Sequence, residues 1–220
     1  MNRHIIVIAT KNKGKSAEIR EFLKDFPVEL KDLNDFGPIP EAVEDGKTFE
    51  ENAYKKASFT AKVLGLPALA DDSGLEVEAL DGAPGIYSAR YAGPTASDPE
   101  NNTKLLRMLT GVEDRKARFC CVLSLAVPAG PALTYEAFCD GVILDSPKGD
   151  MGFGYDPLFY YPPAGKTFAE MSLLEKSGVS HRGRALAELR NEFDKALAWL
   201  DRRREEEEIR RGAADICQGH

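Results

Sequence analysis

Residues 4–16 read His-Ile-Ile-Val-Ile-Ala-Thr-Lys-Asn-Lys-Gly-Lys-Ser, an apolar stretch that changes abruptly into a polar one. The β-branched run at 4–10 is typical of a buried strand. Apolar residues then recur at helical spacing as far as Phe26, and Pro27 ends the pattern. A strand, a polar loop and a helix in this order predict an α/β fold whose first loop lies at a helix N-terminus.

The rest of the chain continues the alternation of strands and helices. Strands are predicted at 28–33, 68–70, 75–80, 117–127, 133–144 and 157–161, and helices at 48–64, 100–109 and 182–204. Thr48 and Glu51 have capping-box spacing at the start of the second helix. The two longest strands read as a hairpin, so the predicted sheet is mixed and has flanking helices.

The composition is that of a globular protein. The chain has 220 residues, 43% of them hydrophobic and 30% charged, and a net charge of −7. This balance excludes collagen-like and wholly disordered chains, and the acidity argues against a protein that reads DNA. At ~150 residues per domain, we expect one domain over 1–200 and a charged tail over 201–220 that is frayed or disordered.

The apolar runs also bear on the compartment. None approaches the ~18 residues of a membrane span. The run near the N-terminus is shorter than the ~7–15 apolar residues of a signal peptide. We therefore expect a cytoplasmic protein without membrane or nucleic-acid partners.

The net charge is unevenly distributed along the chain. Residues 1–27 carry six basic and three acidic side chains, and residues 28–100 carry six basic and fifteen acidic ones. Residues 166–190 are again cationic, with five basic against three acidic side chains. An acidic segment between two cationic ones suits a site that handles phosphates and a metal ion.

The cysteines and histidines exclude most soft-metal chemistry. Cys120, Cys121, Cys139 and Cys217 include no Cys-x-x-Cys pair, so we interpret them as buried, reduced residues. Only three histidines occur in the chain. Any metal ion would therefore depend on oxygen ligands.

The first loop is close to a phosphate-binding P-loop. Gly14-Lys15-Ser16 matches the end of the pattern Gly-x-x-x-x-Gly-Lys-Ser/Thr, but Ala9 occupies the place of its first glycine. Backbone N–H groups at a helix N-terminus favour anions even without that glycine. Phosphate binding and a solvated turn both remain open from the residues alone.

Asp71 and Asp72 follow a short apolar strand and precede Ser73-Gly74. A strand end that opens into a loop is where α/β proteins place sites, although a capping turn is the plain alternative. If the chain is extended there, the two carboxylates face opposite sides, so one reaches the site and the other supports it. Glu44, in a separate acidic loop, is a further oxygen ligand, and Mg²⁺ combines one or two carboxylates with substrate phosphates.

Two later segments carry further candidates. Phe153 and Tyr155 lie among glycines and could stack on a base or pack on the core. Lys176 could neutralise a phosphate, and Arg182 offers a planar fork for a purine edge or a phosphate. His181 alone is more typical of a structural histidine.

Taken together, six segments resemble the inosine/xanthosine triphosphate pyrophosphatase family. They are Thr10-Lys11-Asn12-Lys13-Gly14-Lys15, Thr48-Phe49-Glu50-Glu51-Asn52-Ala53, Ala70-Asp71-Asp72-Ser73-Gly74-Leu75, Gly82-Ala83-Pro84-Gly85-Ile86-Tyr87-Ser88-Ala89-Arg90-Tyr91, Gly152-Phe153-Gly154-Tyr155-Asp156-Pro157, and Glu175-Lys176-Ser177 with Ser180-His181-Arg182. The resemblance implies an elongated mixed sheet, two lobes around a nucleotide cleft, and a homodimer. It also implies Mg²⁺-dependent hydrolysis of XTP, ITP and dITP to the monophosphate and pyrophosphate.

The same resemblance assigns roles to individual residues. Asp72 would be the general base and a metal ligand, and Glu44 the second metal ligand. The substrate-binding set would be Thr10, Lys11, Asn12, Lys13, Gly14, Lys15, Ser73, Phe153, Gly154, Tyr155, Asp156, Lys176, His181 and Arg182. Two other functions are compatible with parts of the sequence: a P-loop-like NTPase or kinase, and a nucleotide-binding module without hydrolysis.

Overall fold

The computed structural model describes residues 4–218, with side chains as far as residue 210. In this part of the chain, seven strands form one sheet: β1 (His4–Ile8), β2 (Val28–Asp32), β3 (Ala68–Val77), β4 (Lys116–Ala126), β5 (Ala132–Ile143), β6 (Phe159–Tyr161) and β7 (Lys166–Thr167). Their order across the sheet is β2-β1-β3-β4-β5-β6-β7. β1 is parallel to β2 and β3, and the later pairs are antiparallel. The predicted α/β class with a mixed sheet is confirmed.

Six α-helices flank the sheet in the described residues: α1 (Lys13–Leu23), α2 (Phe49–Leu64), α3 (Asp98–Met108), α4 (Leu173–Val179), α5 (His181–Asn191) and α6 (Phe193–Gln218). One of the two hydrogen bonds of the predicted capping box at the start of α2 is present. Thr48 Oγ1 accepts a hydrogen bond from Glu51 N at 3.1 Å, but the Glu51 carboxylate accepts from Lys47 N. Gly65 ends α2 at φ 66°, a left-handed conformation that glycine adopts without strain.

Two predicted boundaries are wrong. The strands expected at 68–70 and 75–80 are one strand, β3, because its ten residues pair continuously with β4 and this ladder outweighs the turn preference of Asp-Asp-Ser-Gly. The helix expected at 182–204 is two helices, α5 and α6, separated at Glu192. Ser180 ends α4 and also caps α5, so these two helices follow each other without a loop.

Residues 201–218 of the expected tail are helical. α6 continues as a helix to Gln218, and no helix in the described part of the chain is both long and apolar enough to cross a membrane. The division into a domain at 1–200 and a tail at 201–220 stays a prediction. Cys217 lies beyond the described side chains, whereas Cys120, Cys121 and Cys139 are buried and free, as predicted.

The core has two parts at the two ends of the long β4–β5 hairpin. At one end, α1, α5 and α6 cover one face of the sheet, and alanines of α2 pack on the other face. At the other end, α3 and the segment 155–171 enclose a second cluster rich in phenylalanine. The middle of β3 and β4 lies between the two clusters, and the candidate residues gather there.

Candidate active site

The paired aspartates lie within β3 rather than at its end. Asp71 and Asp72 pair in register with Leu123 and Val122 of β4. Because successive side chains of a strand point to opposite faces, the two carboxylates enter different environments. Asp71 faces α1 and α5, and Asp72 faces α2, so the predicted opposite orientation of the two side chains is confirmed.

Asp71 is the centre of a buried ion cluster. Its carboxylate contacts Lys15 Nζ at 2.5 Å and Arg182 Nε at 2.7 Å. Ser73 Oγ donates to it at 2.9 Å, and the thiol of Cys121 donates at 3.1 Å. Burial alone would raise the pKa of Asp71, but Arg182 and Lys15 outweigh burial and hold the pKa well below its usual range. Asp71 is therefore ionised and holds two cations in place.

Glu18 extends this cluster and was missed in the sequence. Its carboxylate contacts Arg182 Nη1 at 2.5 Å and Lys176 Nζ at 3.0 Å, and Lys176 also contacts Asp156 at 2.6 Å. A signal was present, because residue 18 falls on the apolar face of α1 beside Ile19 and is 5% exposed. A charged residue on the buried face of a helix needs a partner, and the partners here come from distant parts of the chain.

On the other face, Asp72 meets Lys56 of α2, a second residue that the sequence reading missed. Lys56 Nζ contacts Asp72 Oδ1 at 2.7 Å and Glu44 Oε2 at 3.3 Å, and it donates to the carbonyl of Asp71 at 2.9 Å. Burial raises the pKa of Asp72 above its usual value, and Lys56 and Lys15 oppose that rise only in part. Asp72 Oδ2 is buried and has no hydrogen-bond partner among the described residues.

The first loop lies at the N-terminus of α1, as predicted. Asn12 caps the helix, accepting from Lys15 N at 3.0 Å, and Thr10 Oγ1 accepts from Asn12 N at 3.1 Å. Lys11 forms an exposed ion pair with Glu41, and Lys13 is exposed. The helix N-terminus and its lysines keep the properties of an anion site.

Gly14 brings the first loop against the aromatic loop at 152–156. A Cβ atom on Gly14 would lie 2.5 Å from the ring of Phe153. Lys176 Nζ lies over the same ring, 4.5 Å from its centre, and the guanidinium of Arg182 lies 5.6 Å from it. The half-buried ring of Phe153 thus packs against the first loop, and the face of the ring is turned toward two cations.

The other members of the aromatic loop have structural partners. Tyr155 is buried and donates from its hydroxyl to the carbonyl of Ser88 at 2.9 Å, so it packs in the core more than it offers a face for stacking. Asp156 accepts from Phe153 N at 2.9 Å and from Lys176. The backbone N–H and C=O groups of Gly154 both form hydrogen bonds with side chains of α3. Of the two predicted stacking rings, Phe153 has the accessible one.

His181 and Arg182 both line a cavity, but their side chains also have partners within the protein. His181 is buried and stacks on Phe119 with ring centres 4.5 Å apart, and burial, followed by Arg182 and Lys176, lowers its pKa well below the usual range. Its ring is therefore neutral. Arg182 was expected to offer a free fork, but its three nitrogens already donate to Asp71, Glu18 and Ser73. Here Arg182 supports the wall of the site.

Two concave spaces adjoin these clusters. A cavity of about 100 Å³ lies on the Asp71 side, and a groove of about 160 Å³ lies on the Asp72 side. The cavity is lined by Asn12, Lys15, Ser73, Gly74, Ser88, Ala89, Asp98, Asn101, Phe119, Phe153, Gly154, Tyr155, Asp156, Lys176, His181 and Arg182. The groove is lined by Ala9, Thr10, Lys11, Leu33, Ile39, Pro40, Glu41, Ala42, Glu44, Lys56 and Thr60. Of the predicted site residues, Thr10, Lys11 and Glu44 line the groove and most of the others line the cavity. Lys13, Gly14 and Asp72 line neither space.

Glu44, one of the two predicted metal ligands, lines the groove, and Asp72, the other, contacts Lys56, which also lines it. Within the described residues, no set of three or more acidic, histidine or cysteine side chains is arranged to hold a metal ion. Glu44 and Asp72 nevertheless converge on one positive charge, the ammonium of Lys56, and Asp72 Oδ2 lacks a partner there. Two carboxylates of this kind fit a hard divalent ion that completes its shell with phosphate oxygens and water.

A small cavity beside buried carboxylates with shifted pKa values is the usual architecture of an enzyme site, and its cations suit an anionic ligand. The fold and the site therefore define an α/β enzyme that acts on an anionic small molecule. A model described as the Ham1 family matches residues 6–192, and the chain belongs to that family. The resemblance seen in the sequence is confirmed.

Relatives and solved structures agree with this assignment. The chain is 73% identical over 218 residues to a protein of Syntrophobacter fumaroxidans named dITP/XTP pyrophosphatase, covering 99% of this chain and 94% of that protein. A protein of the same name from Desulfotalea psychrophila is 61% identical over 92% of this chain and 91% of its own length. Ham1 protein structures from Coxiella burnetii and Staphylococcus aureus both align at a TM-score of 0.79, with 43% and 42% identity, 87% of this chain and 99% of theirs.

Proposed function

We propose that this chain hydrolyses the non-standard purine nucleotides XTP, ITP and dITP to the monophosphate and pyrophosphate, and so removes deaminated purines from the nucleotide pool. The class predicted from the sequence, a nucleoside-triphosphate pyrophosphatase, is confirmed by its relatives. The observation that carries the proposal is the position of β3. Its two aspartates lie between an aromatic, cation-lined cavity and an acidic groove with lysines.

The cavity on the Asp71 side would take the nucleoside. Phe153 offers a ring for stacking on the base. Ser73 and Gly74 of β3 form the wall of the cavity that belongs to the sheet. Lys15, Lys176 and Arg182 are each paired with a carboxylate, so they are in position before a ligand arrives and need little rearrangement. The substrate-binding roles predicted for the other cavity residues remain part of this proposal.

The groove on the Asp72 side would take the phosphates. β1 pairs with β3 only as far as Ile8 and Leu69, two residues before Asp71. Beyond that point a triphosphate can pass from one face of β3 to the other around the first loop. On its way it would pass the N-terminus of α1, whose Asn12 and Lys15 line the cavity, and in the groove it would meet the side chains of Lys11 and Lys56.

Asp72 would act as the general base. Hydrolysis requires a water oxygen to bond to phosphorus while the bond from phosphorus to pyrophosphate breaks. The unpartnered Oδ2 of Asp72 can accept the proton of that water, and its raised pKa makes it a stronger base than an ordinary aspartate. Such proton transfer contributes ~10²–10⁴-fold to a rate. Lys56, on the other oxygen of the same carboxylate, orients it.

Mg²⁺ is the cofactor that we propose for this site. Asp72 and Glu44 would hold it, together with oxygens of the substrate. When bound there, the ion would neutralise negative charge on the phosphates and on the departing pyrophosphate.

The partners and the compartment complete the proposal. The ligands are purine nucleoside triphosphates, with no nucleic acid or membrane as partner. The buried free thiols suit the reducing cytoplasm. The homodimer implied by the resemblance is tested by light scattering of the purified protein, which should give twice the mass of one chain; the mass of one chain would contradict it.

A panel of nucleoside triphosphates tests the function directly. ITP, XTP, dITP, ATP and GTP are incubated with the protein and Mg²⁺, and the products are separated. We expect IMP and pyrophosphate from ITP, and slow turnover of ATP and GTP. Release of orthophosphate with IDP would instead indicate a P-loop-like NTPase, and binding without turnover would indicate a nucleotide-binding module.

A further inference from the structure

One segment that resembles the family has no role in the site so far. Ser88 and Ala89 of the segment 82–91 line the cavity, and the hydroxyl of Tyr155 in the aromatic loop donates to the carbonyl of Ser88. Ser88 also fixes the segment to the sheet. Ser88 Oγ accepts from Leu75 N at 2.9 Å and donates to the carbonyl of Gly85 at 2.6 Å. Ser88 and Ala89 therefore form one wall of the cavity, and Phe153 with Gly154 forms another.

The first wall is attached to helix α3. Asn101 is 2% exposed, and both ends of its amide are bonded to that wall. Its Oδ1 accepts from Ala92 N at 2.7 Å, and its Nδ2 donates to the carbonyl of Ala89 at 3.2 Å. The amide thus holds the backbone on both sides of residues 90–91.

The second wall is attached to the same helix. Asp98 Oδ2 accepts from Gly154 N at 2.7 Å, and Asn102 Nδ2 donates to Gly154 O at 3.0 Å. One acidic and one amide side chain thus satisfy both backbone groups of a single glycine. They reach it across more than fifty positions of the chain.

We propose that Asp98, Asn101 and Asn102 form a clamp, here called the α3 clamp, that sets the separation of the two cavity walls and so positions the purine nucleoside. The inference rests on the function proposed above. Because the clamp contacts only the walls of the nucleoside cavity, loosening it should weaken binding of the nucleoside and leave binding of the phosphates intact.

The three residues act by positioning. Asn102 does not line the cavity; Asn101 does, but each end of its amide makes a hydrogen bond to the first wall. Asp98 does line the cavity and is exposed, so it could also touch a ligand itself. A test must therefore compare Asp98 with Asn102, whose contact with Gly154 lies outside the cavity.

The experiment measures equilibrium binding of IMP and of tripolyphosphate, and the kinetics of ITP hydrolysis, for three variants. Asp98→Ala and Asn102→Ala each remove one hydrogen bond to Gly154. We expect each to raise the Kd for IMP and the KM for ITP by about threefold to tenfold, with the Kd for tripolyphosphate and kcat nearly unchanged. Asp98→Asn keeps an acceptor for Gly154 N and should restore IMP binding, although it removes the charge at the start of α3.

The control is Thr103→Ala on the same helix. Thr103 is exposed and donates only within the helix, to the carbonyl of Pro99, so this variant should bind IMP as the wild type does. Should Asn102→Ala lose its fold in a thermal melt, Asn102→Asp replaces it, because an ionised carboxylate keeps the shape but cannot donate to Gly154 O.

Three results would overturn the clamp. If the Kd for IMP is unchanged in both alanine variants, the walls do not depend on α3. If IMP binding falls only in Asp98→Ala, Asp98 is a direct ligand. If tripolyphosphate binding falls equally, the variants loosen the whole site. A wild type that neither binds IMP nor hydrolyses ITP would contradict the proposed function instead.

Discussion

Asp71 and Asp72 are neighbours in the chain with opposite electrostatic environments. Asp71 is ionised and compensates two buried cations, whereas burial disfavours the ionised form of Asp72. If Asp72 is the base as proposed, the pair separates stability from catalysis at adjacent positions, which two isosteric substitutions can test.

We predict opposite phenotypes for the two asparagine variants. Asp72→Asn removes the proposed base, so kcat should fall by at least ~10²-fold while the melting temperature changes little. Asp71→Asn leaves Lys15 and Arg182 undercompensated in a buried cluster, which costs about 3–5 kcal/mol and lowers the melting temperature by roughly 10 °C in a chain of this length. Assays and thermal melts of both variants check this; an equally destabilised Asp72→Asn would contradict the separation.

Glu18 gives the cluster a predictable dependence on pH. Burial would raise the pKa of Glu18, but Arg182 and Lys176 lower it below the ordinary value of 4.5. A depressed pKa in the folded state means that the stabilisation is complete above pH 4.5 and is lost as the pH falls through the lower folded value.

Glu18→Gln should therefore be less stable than the wild type near neutral pH, and the difference should shrink as the solution is acidified below 4.5. Urea unfolding of both proteins at a series of pH values measures it. A difference that stayed constant across the series would show that the carboxylate charge does not stabilise the fold.

At the scale of elements, the contact between α1 and the aromatic loop depends on the absence of a side chain at residue 14. Helix propensity alone favours alanine over glycine by up to ~1 kcal/mol. A Cβ there would lie 2.5 Å from the Phe153 ring, however, and would displace it.

Gly14→Ala should therefore raise the KM for ITP while the helix itself is not destabilised. Gly178→Ala is the matched control, because Gly178 lies in α4 and a Cβ there would meet nothing within 4 Å. Steady-state kinetics measure the KM for ITP of the two variants, and thermal melts measure their stability. An unchanged KM in Gly14→Ala would show that Phe153 does not contribute to substrate binding.

The last helix has a buried half and an exposed half. Ala196 and Leu200 are buried in the core with Leu197 and Trp199 packed beside them, whereas most of residues 202–210 are exposed. A chain that stops after Asp201 should keep its activity. One that stops after Lys195 should lose several kcal/mol of stability, since burial of a single leucine contributes about 2–5 kcal/mol. Melts and ITP assays check both; an inactive but folded chain ending at Asp201 would give the tail a function.

For the molecule as a whole, the sequence reading succeeded where the signal is local. The first strand–loop–helix unit, the β4–β5 hairpin and the opposite orientation of Asp71 and Asp72 follow from short-range periodicity. The sequence reading failed where a charged side chain has its partner in a remote part of the chain. Glu18 is 164 positions from Arg182 and Lys56 is 16 positions from Asp72. The place of Glu18 on the apolar face of α1 shows that it needs a partner, but the local pattern identifies neither partner. For the same reason, Arg182 could not be recognised as already engaged.

The glycine at position 74 has a consequence for how the chain aligns as it folds. A Cβ at this position would lie 2.4 Å from the carbonyl oxygen of Gly85 and 2.5 Å from Ser88 Oγ. If β3 slipped by one residue against β4, Ser73 or Leu75 would have to occupy this space, and the two aspartates would exchange faces. The missing side chain opposes that misalignment, and so decides which of the two carboxylates takes the place of the proposed base.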